Sequence, residues 1–314
     1  MYFLVIDHKD HAKVSCLDIL LSNEYIDTNR KDKIAFLVSK KVKFDFPTFY
    51  TSSYLEISTL KYEKYGKFLL INRQLHSIEL KFLQKNYDLI MEKKFIEGEK
   101  RVPTHVIIYE RKPTLAIEKQ FGITFQWDPK LTMFSKGNIN ERNRMGEIGQ
   151  KDYIKIFNNN DRKDTNFIFL DMFTGIGYFT IPYLKNNPLA KAIVCDINTN
   201  SITALKNNIK LNKISNDIMI HNGDCKEIIK PNIADRISMG LIPDCSHRLP
   251  QAMIACKNEG IIHYHTLSQY NYKEVIQNIA KENLIEYNII KIVKVKEYSP
   301  KNQHIVVDIQ IFKK

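Results

Sequence analysis

Asp171-Met172-Phe173-Thr174-Gly175-Ile176-Gly177-Tyr178-Phe179-Thr180 follows directly on the continuous apolar run Phe167-Ile168-Phe169-Leu170. A run of that kind ending in a carboxylate is the pattern of a strand buried on both faces of a parallel sheet. The glycines at 175 and 177 permit a tight turn and let backbone come close to a ligand, because a Cβ at either position would fill that space. An apolar-periodic segment begins near Tyr178, so the decamer reads as a strand end turning into a helix, the place where an open α/β sheet takes up a nucleotide. A third glycine is missing. In the dinucleotide fingerprint that position holds Gly or Ala and the helix start receives pyrophosphate, so Thr180 argues against a NAD site. Asp171 points the same way, since a carboxylate repels phosphates but suits a cationic ligand.

Working outward, short apolar runs alternate with helical patterns. Lys191–Cys195, Asp217–Ile220, Ile237–Ile242 and Gly260–Tyr264 read as strands, and Thr199–Leu211 and Leu249–Cys256 as helices. Such alternation means βαβ units and a parallel sheet. The end of the chain departs from it: after a helical pattern over Tyr272–Leu284, Tyr287–Lys296 and His304–Phe312 both read as extended, and two strands joined by so short a turn must be antiparallel. Upstream, the polar stretch Asn158–Asp164 is an exposed turn, and Asn140–Phe157 spaces Met145, Ile148, Tyr153, Ile154 and Phe157 as one helical face, weakened by Gly146 and Gly149. Val106–Tyr109 and Ile123–Trp127 suggest a hairpin. A helical pattern over Leu75–Phe95 and a lysine-rich, aromatic-interleaved segment over Lys40–Tyr65 suggest an α+β accessory domain at residues 1–103, followed by the main domain at 104–314. In and just after that segment Lys40, Lys41, Lys43, Lys61, Lys64 and Lys67, with Phe44, Phe46, Phe49, Tyr50, Tyr62 and Tyr65, suit phosphates and unstacked bases, although a half-buried sheet gives the same pattern.

The chain has 314 residues, of which 44 % are hydrophobic and 26 % charged, with 11 Gly and 10 Pro. That composition excludes collagen-like, low-complexity and wholly disordered chains. Its formal net charge is +12, a field that attracts polyanions such as nucleic acid. The excess is spread evenly, with 25 basic and 19 acidic residues in 1–150 and 22 and 16 in 151–314; a lysine-rich composition habit is the bland alternative. Five cysteines without a CxxC pair suggest neither a disulfide framework nor a zinc site. Met1–Ile6 is too short for a signal segment and no apolar run is long enough to span a membrane, so no membrane partner and a cytoplasmic location are expected.

Asp196 ends the second strand, where Rossmann-like folds place the acid that accepts from both ribose hydroxyls. A helix N-cap is its other reading, a role Asn198 serves as well. At the third strand end, Gly223-Asp224-Cys225 offers a carboxylate for an adenine amino group and a following N–H for the ring. His263 and His265 alternate with Tyr264 and share a face of the fifth strand. With no further ligands to place, no metal is expected and a structural role is. Cys195 reads as a buried strand residue.

Three stretches carry a family resemblance: Phe134-Ser135-Lys136-Gly137-Asn138-Ile139-Asn140-Glu141-Arg142, Asp171–Thr180, and Ala234-Asp235-Arg236-Ile237-Ser238-Met239-Gly240-Leu241-Ile242-Pro243. Together they resemble the wybutosine-synthesising tRNA aminocarboxypropyltransferases, close relatives of the tRNA guanine N1-methyltransferases that modify the same purine beside the anticodon. The resemblance covers about residues 105–314, including Tyr298-Ser299-Pro300 and Val306-Val307-Asp308, and does not reach the first hundred residues. It implies the class I S-adenosylmethionine-dependent transferase fold, a Rossmann-like α/β sheet ending in an antiparallel hairpin. S-adenosyl-L-methionine would be the cofactor and tRNA, in particular tRNA-Phe, the partner. A monomer is favoured.

By that resemblance Ser135 and Arg142 hold the methionine moiety, Asp196 the ribose, and Asp224 with Cys225 the adenine. A guanidinium can take a carboxylate bidentately, which an ammonium does less well. Asp171, Phe173, Thr174, Gly175 and Gly177 of the turn, Ile197 and Asn198 beside the ribose acid, and Gly240 after the fourth strand complete the expected cofactor site. Lys136, Glu141, Arg144 and Pro243 are the expected catalytic residues; the first three lie within reach of the substrate base or tRNA phosphates, or else are ordinary solvated charges at a helix start. The methylating relatives keep Asn-Leu-Pro where this chain has Gly240-Leu241-Ile242-Pro243, which disfavours base methylation. The implied activity is transfer of the 3-amino-3-carboxypropyl group to a tricyclic guanine derivative in tRNA. Methyl transfer to guanine in the same tRNA, or a non-catalytic RNA-binding protein with this fold, are the alternatives. No general base is obvious.

Overall fold

The computed structural model describes residues 2–7, 20–27, 33–38, 56–75, 77–158 and 166–313. Two compact units are present, Met1–Glu97 with Pro103–Ile117, and Gly98–Val102 with Glu118–Lys314. In the first unit β1 (Tyr2–Asp7), β2 (Leu20–Asp27), β3 (Lys33–Val38) and β4 (Glu56–Thr59) form a sheet in the order β2-β3-β1-β4, with β1 antiparallel to both of its neighbours. Next in the chain come β5 (Tyr62–Tyr65), β6 (Phe68–Ile71), helix α1 (Ser77–Leu83) and β7 (Leu89–Glu92). The short strands β8 (Ile96–Glu97) and β9 (Val102–Pro103) frame Gly98–Arg101, and β10 (Val106–Glu110) completes a second sheet in the order β10-β7-β6-β5.

Three expectations change here. The helix ends at Leu83 instead of continuing to Phe95, because Leu89–Glu92 is a fully buried strand, parallel to β6 and antiparallel to β10. A run buried on both faces loses the helical period that would have marked it. Val106–Tyr109 likewise pairs with β7, whereas β12 (Ile123–Trp127) pairs with β11 (Ala116–Gln120). That pairing carries β10 into the first unit, so the border expected at Pro103 falls at Ile117. Lys40, Lys41, Lys43, Phe44, Phe46, Phe49 and Tyr50, and the polar stretch from residue 159 to 164, lie outside the described residues. Of the same pattern, Tyr65 is buried and stacked on Phe68, with ring centroids 5.9 Å apart, so there it marks a sheet with one face on its core.

In the second unit helix α2 (Ile139–Asn158) precedes a seven-stranded sheet built from β13 (Ile168–Asp171), β14 (Lys191–Cys195), β15 (Ile218–His221), β16 (Ala234–Met239), β17 (Cys256–Leu267), β18 (Glu286–Ser299) and β19 (Asn302–Phe312). Its order is β15-β14-β13-β16-β17-β19-β18. The first five strands run parallel, and β19 is antiparallel to both β17 and β18. The sheet and terminal hairpin expected from the sequence are therefore present. Helices α3 (Thr180–Asn186), α4 (Thr199–Leu211), α5 (Leu249–Ala255) and α6 (Tyr272–Glu282) supply the crossovers. Leu170, Ile237, Ile262, Val307 and Ile309 form the centre of the core, each worth about 1.5–3 kcal/mol of burial.

Gly146 and Gly149 lower the helical propensity of α2 but permit close packing. A Cβ at Gly149 would stand 2.4 Å from the Tyr183 carbonyl oxygen of α3. Polar groups lock the same helix to the sheet: Asp152 accepts from Arg236 at 2.5 and 2.7 Å and from the Tyr183 hydroxyl at 2.7 Å, and all three residues are buried. The backbone contact cannot yield as a flexible side chain would, so Gly149→Ala is expected to destabilise the second unit by about 1–3 kcal/mol, measured by urea unfolding followed by circular dichroism.

Candidate functional site

Successive strand ends deliver backbone and carboxylates to one cleft. A cavity of about 610 Å³ opens at the carboxyl edge of the sheet and is lined by Phe173 and Gly175 after β13, Asp196 and Ile197 after β14, Asp224 and Cys225 after β15, and Gly240 through Asp244 after β16. The opposite wall comes from Ser135 before α2, Arg101 of the Gly98–Val102 segment, and Lys296, Tyr298 and His304 of the terminal hairpin. Of the residues expected there, Ser135, Phe173, Gly175, Asp196, Ile197, Asp224, Cys225, Gly240 and Pro243 line this cavity, and Lys136, Glu141, Arg142, Arg144, Asp171, Thr174, Gly177 and Asn198 do not.

The turn after β13 depends on both glycines. Gly175 has φ of 55° and Gly177 of 97°, a region costly for residues with a side chain, and a Cβ on Gly175 would stand 2.5 Å from the Tyr178 ring. Beneath the turn Asp171 is wholly buried and accepts from the Thr180 hydroxyl at 2.7 Å, while Thr174 and Thr180 hydroxyls lie 3.0 Å apart. Thr180 thus stands at the missing-glycine position for a positive reason, to bind this carboxylate. Asp171 does not face the cavity; it organises the turn. Burial pushes its carboxyl up from 3.8 to about 7, only partly offset by Thr180, the Phe173 N–H and Ser238.

Asp196 is held from both sides. One carboxylate oxygen accepts the Gly175 N–H and the other the Asn198 N–H, each at 2.8 Å. A carboxylate has about four lone-pair sites, so each oxygen keeps one for a ligand. Burial raises its pKa and the two N–H groups oppose that rise. The N-cap alternative falls to Asn198, whose side chain accepts from Asn200 and Ser201 at the start of α4. Asp224 caps the 3-10 turn Cys225–Glu227 through the Lys226 N–H at 3.0 Å and accepts from Arg248. Burial works against its ionisation, but these donors prevail and hold the carboxyl below its ordinary value.

Arg142 has a different place from the one expected. Its guanidinium is buried, donates to Gln120 Oε1 at 2.7 Å and to the carbonyls of Ser135 and Lys136 at 3.0 and 3.4 Å, and lies 4.8 Å over the Phe134 ring. It shapes the loop that presents Ser135 and does not reach the cavity as a carboxylate ligand. Phe134 in turn stacks on Trp127 at 4.5 Å. Glu141 and Arg144 are also internal: Arg144 donates to Glu141 at 2.7 and 2.8 Å and to Asp308 at 2.7 and 3.2 Å. Asp308 then meets His263 Nδ1 at 2.6 Å, and His263 Nε2 accepts from Arg236 at 2.9 Å. Neither the pair Glu141–Arg144 nor the exposed Lys136 borders the cavity. Cys195, Cys225, Cys245 and Cys256 are buried, and burial pushes the Cys225 thiol up to about 12.

Sequence reasoning missed Arg101, which donates to the Ile242 carbonyl, and Tyr178, whose hydroxyl donates to the Met133 carbonyl. It also missed Lys296 and His304, register partners across the terminal hairpin, with Lys296 Nζ 2.9 Å from Ser135 Oγ. The short turn between β18 and β19 carried enough information to pair those two; nothing local tied either to the cleft. Among the described residues no cluster of three or more His, Cys, Asp or Glu is arranged for a metal ion, and no helix is long and apolar enough to cross a membrane.

Residues 116–290 match the family described as the TRM5/TYW2 methyltransferase domain. A curated relative, the tRNA(Phe) (4-demethylwyosine(37)-C(7)) aminocarboxypropyltransferase of Methanocaldococcus jannaschii, is 33 % identical over 260 residues, covering 79 % of this chain and 97 % of the relative. Among solved structures, Pyrococcus horikoshii TYW2 in complex with MeSAdo superposes with a TM-score of 0.66 at 25 % identity, over 81 % of this chain and 91 % of the other. M. jannaschii TYW2 in complex with AdoMet gives a TM-score of 0.63 at 27 % identity, over 81 % and 100 %.

Because the Asp171 carboxyl is raised, its contribution to stability is complete below about 3.8, declines with rising pH, and is gone above about 7. Asp171→Asn removes that decline, so the variant's stability relative to the parent should rise steadily from pH 4 to pH 7 in urea titrations at several pH values; a difference independent of pH would contradict the assignment.

Proposed function

The chain belongs to the TRM5/TYW2 methyltransferase-domain family, and we infer that it transfers the 3-amino-3-carboxypropyl group of S-adenosyl-L-methionine to a tricyclic guanine derivative beside the anticodon of tRNA-Phe, in wybutosine biosynthesis. The observation that carries aminocarboxypropyl over methyl transfer is at Gly240. After β16 the chain reads Gly240-Leu241-Ile242-Pro243 where the methylating relatives keep Asn-Leu-Pro, so no side-chain amide stands in that stretch, and a Cβ on Gly240 would meet the Phe179 ring at 2.6 Å. The groups that such an Asn would offer to a guanine awaiting methylation have no counterpart at that point.

The cavity suits a sulfonium nucleoside. Gly175 and Gly177 leave room for backbone to approach it, Asp196 keeps one lone pair on each oxygen for a pair of vicinal hydroxyls, and Asp224 with the Cys225 N–H faces the space where an adenine would lie. With Arg142 engaged in its loop, Ser135 Oγ and Lys296 Nζ are the groups placed to take the carboxylate of the amino-acid arm. When bound, S-adenosylmethionine supplies a γ-carbon activated by the adjoining sulfonium. The protein's part is positional: the strand ends hold the nucleoside while the hairpin wall fixes the arm, so that the γ-carbon and not the methyl lies behind the attacking ring carbon. Lys100, Arg101 and Lys296 supply cations at the cavity wall for tRNA phosphates, alongside the carboxylates of Glu99, Asp196, Asp224 and Asp244. Phe173, Leu241 and Ile242 keep the reacting atoms among apolar neighbours. The reading has the protein act in the cytoplasm, in keeping with the buried thiols of Cys195, Cys225, Cys245 and Cys256, and as a monomer.

Incubation with S-adenosylmethionine and tRNA carrying the tricyclic base should release methylthioadenosine, whereas S-adenosylhomocysteine would contradict the reading. Asp196→Ala loses two charge-assisted hydrogen bonds to the ligand, each worth about 1.5–3 kcal/mol, and frees the Gly175 and Asn198 amides it ties together, so S-adenosylmethionine binding by calorimetry should weaken at least about a hundredfold while the circular dichroism of the sheet stays close to the parent's.

A further inference from the structure

The terminal hairpin places a buried imidazole pair beside the cleft. His304 is wholly buried and lines the cavity, and its Nε2 lies 3.0 Å from Nδ1 of His265, which is equally buried. Neither His304 Nδ1 nor His265 Nε2 has a hydrogen-bond partner. Burying such atoms without partners is costly, and unsatisfied groups of this kind call for an explanation.

The surroundings select the tautomers. Glu141 Oε1 lies 3.9 Å from His265 Nε2, and its negative charge favours a hydrogen on that nitrogen. His265 Nδ1 is then an acceptor, so the hydrogen between the rings belongs to His304 Nε2. His304 Nδ1 is consequently left as a bare lone pair, itself buried, on a residue that lines the cleft. This inference rests on the transfer reaction above. We propose that His304, through Nδ1, receives the proton that the acceptor ring carbon gives up as the aminocarboxypropyl group is attached. The bond from ring carbon to γ-carbon forms while the γ-carbon–sulfur bond breaks, its electron pair leaving on sulfur as methylthioadenosine. The C–H proton of the ring carbon then passes to Nδ1, and the C–H electron pair restores the ring.

The groups facing this pair are Lys296 across the hairpin, Glu141 and Arg144 from α2, His263 on β17 and Asp308 on β19. Burial and then the Lys296 charge push His304 down to about 4, so it is neutral and able to accept a proton across the physiological range. A base this weak suffices, because the ring carbon that has just formed the new bond carries a cationic, strongly acidic C–H. Phe179, whose ring centroid lies 4.9 Å from that of His265, packs the pair from the side of the glycine turn.

Replacing His304 by Gln keeps a polar side chain that cannot accept the proton. In single turnover His304→Gln should lose about 10²–10⁴-fold in rate, with its S-adenosylmethionine dissociation constant within about threefold of the parent's on the scale where 1.4 kcal/mol is tenfold. Added imidazole should restore part of the rate of His304→Ala. In the unaltered chain, nitrogen-15 histidine spectra at neutral pH should show Nδ1 of His304 without a hydrogen, and the resonance should move when an anticodon stem-loop bearing the tricyclic base is added with methylthioadenosine. A rate for His304→Gln close to the parent's, a loss that imidazole leaves untouched, or a protonated Nδ1 would overturn the assignment. Failure of the parent chain itself to release methylthioadenosine would instead overturn the transfer reading, and this assignment with it. If His304→Gln does not fold, the spectra of the unaltered chain decide the matter alone.

Discussion

The cleft depends on one carboxylate held between two backbone amides. Asp196 joins the Gly175 turn to the start of α4 by accepting an N–H from each, so two loops that a ligand must enter between are tied to the same pair of oxygens. Neither donor is a side chain. The arrangement therefore survives only while the Gly175 turn keeps its left-handed backbone and Asn198 keeps α4 capped, and that is why the chain places a glycine at one and an Asx residue at the other. The buried Asp171–Thr180 pair beneath the turn is a second brace of the same kind.

Much of this was legible beforehand for a simple reason. Strands buried on both faces and helices with one apolar stripe leave distinct periods, so the sheet from Ile168 to Phe312 could be laid out from Phe167–Leu170, Lys191–Cys195 and the last two extended runs. Strand ends in a parallel sheet fall at one edge, which is enough to gather Gly175, Asp196 and Asp224. The misreadings share a different cause. Leu89–Glu92 lost its period to complete burial, and Val106–Glu110 found its partner in β7, a choice decided by tertiary pairing. Arg142 was expected at the ligand from the family resemblance and Glu141 from its nearness to the motif, and both are buried and bonded internally. Pattern shows where a charge sits along the chain, not which way it faces.

An interior polar network ties α2 to the sheet. From Glu141 through Arg144, Asp308, His263, Arg236 and Asp152 to Tyr183, hydrogen bonds run unbroken along a path that crosses from α2 to the middle of the sheet. A buried pair of this kind adds little net stability over apolar packing, but removing one partner is costly because the other is then left charged and unpaired. Each member is held in a defined orientation by its neighbours, and the terminal hairpin, through Asp308, is thereby held in register against α2. The wall that carries Lys296 and His304 inherits that precision.

The short segment Gly98–Val102 folds with the second unit although the chain on either side of it belongs to the first. It brings Arg101 to the Ile242 carbonyl and the Lys100 carbonyl to the Asn198 amide, 3.0 Å away. A truncated catalytic piece starting at Glu118 would therefore be missing part of its own binding wall, however well its sheet folded. The first unit is stitched in rather than appended: the chain passes between the two units at Gly98, after Val102 and again at Glu118, so the first unit cannot be exchanged by simple fusion at one joint.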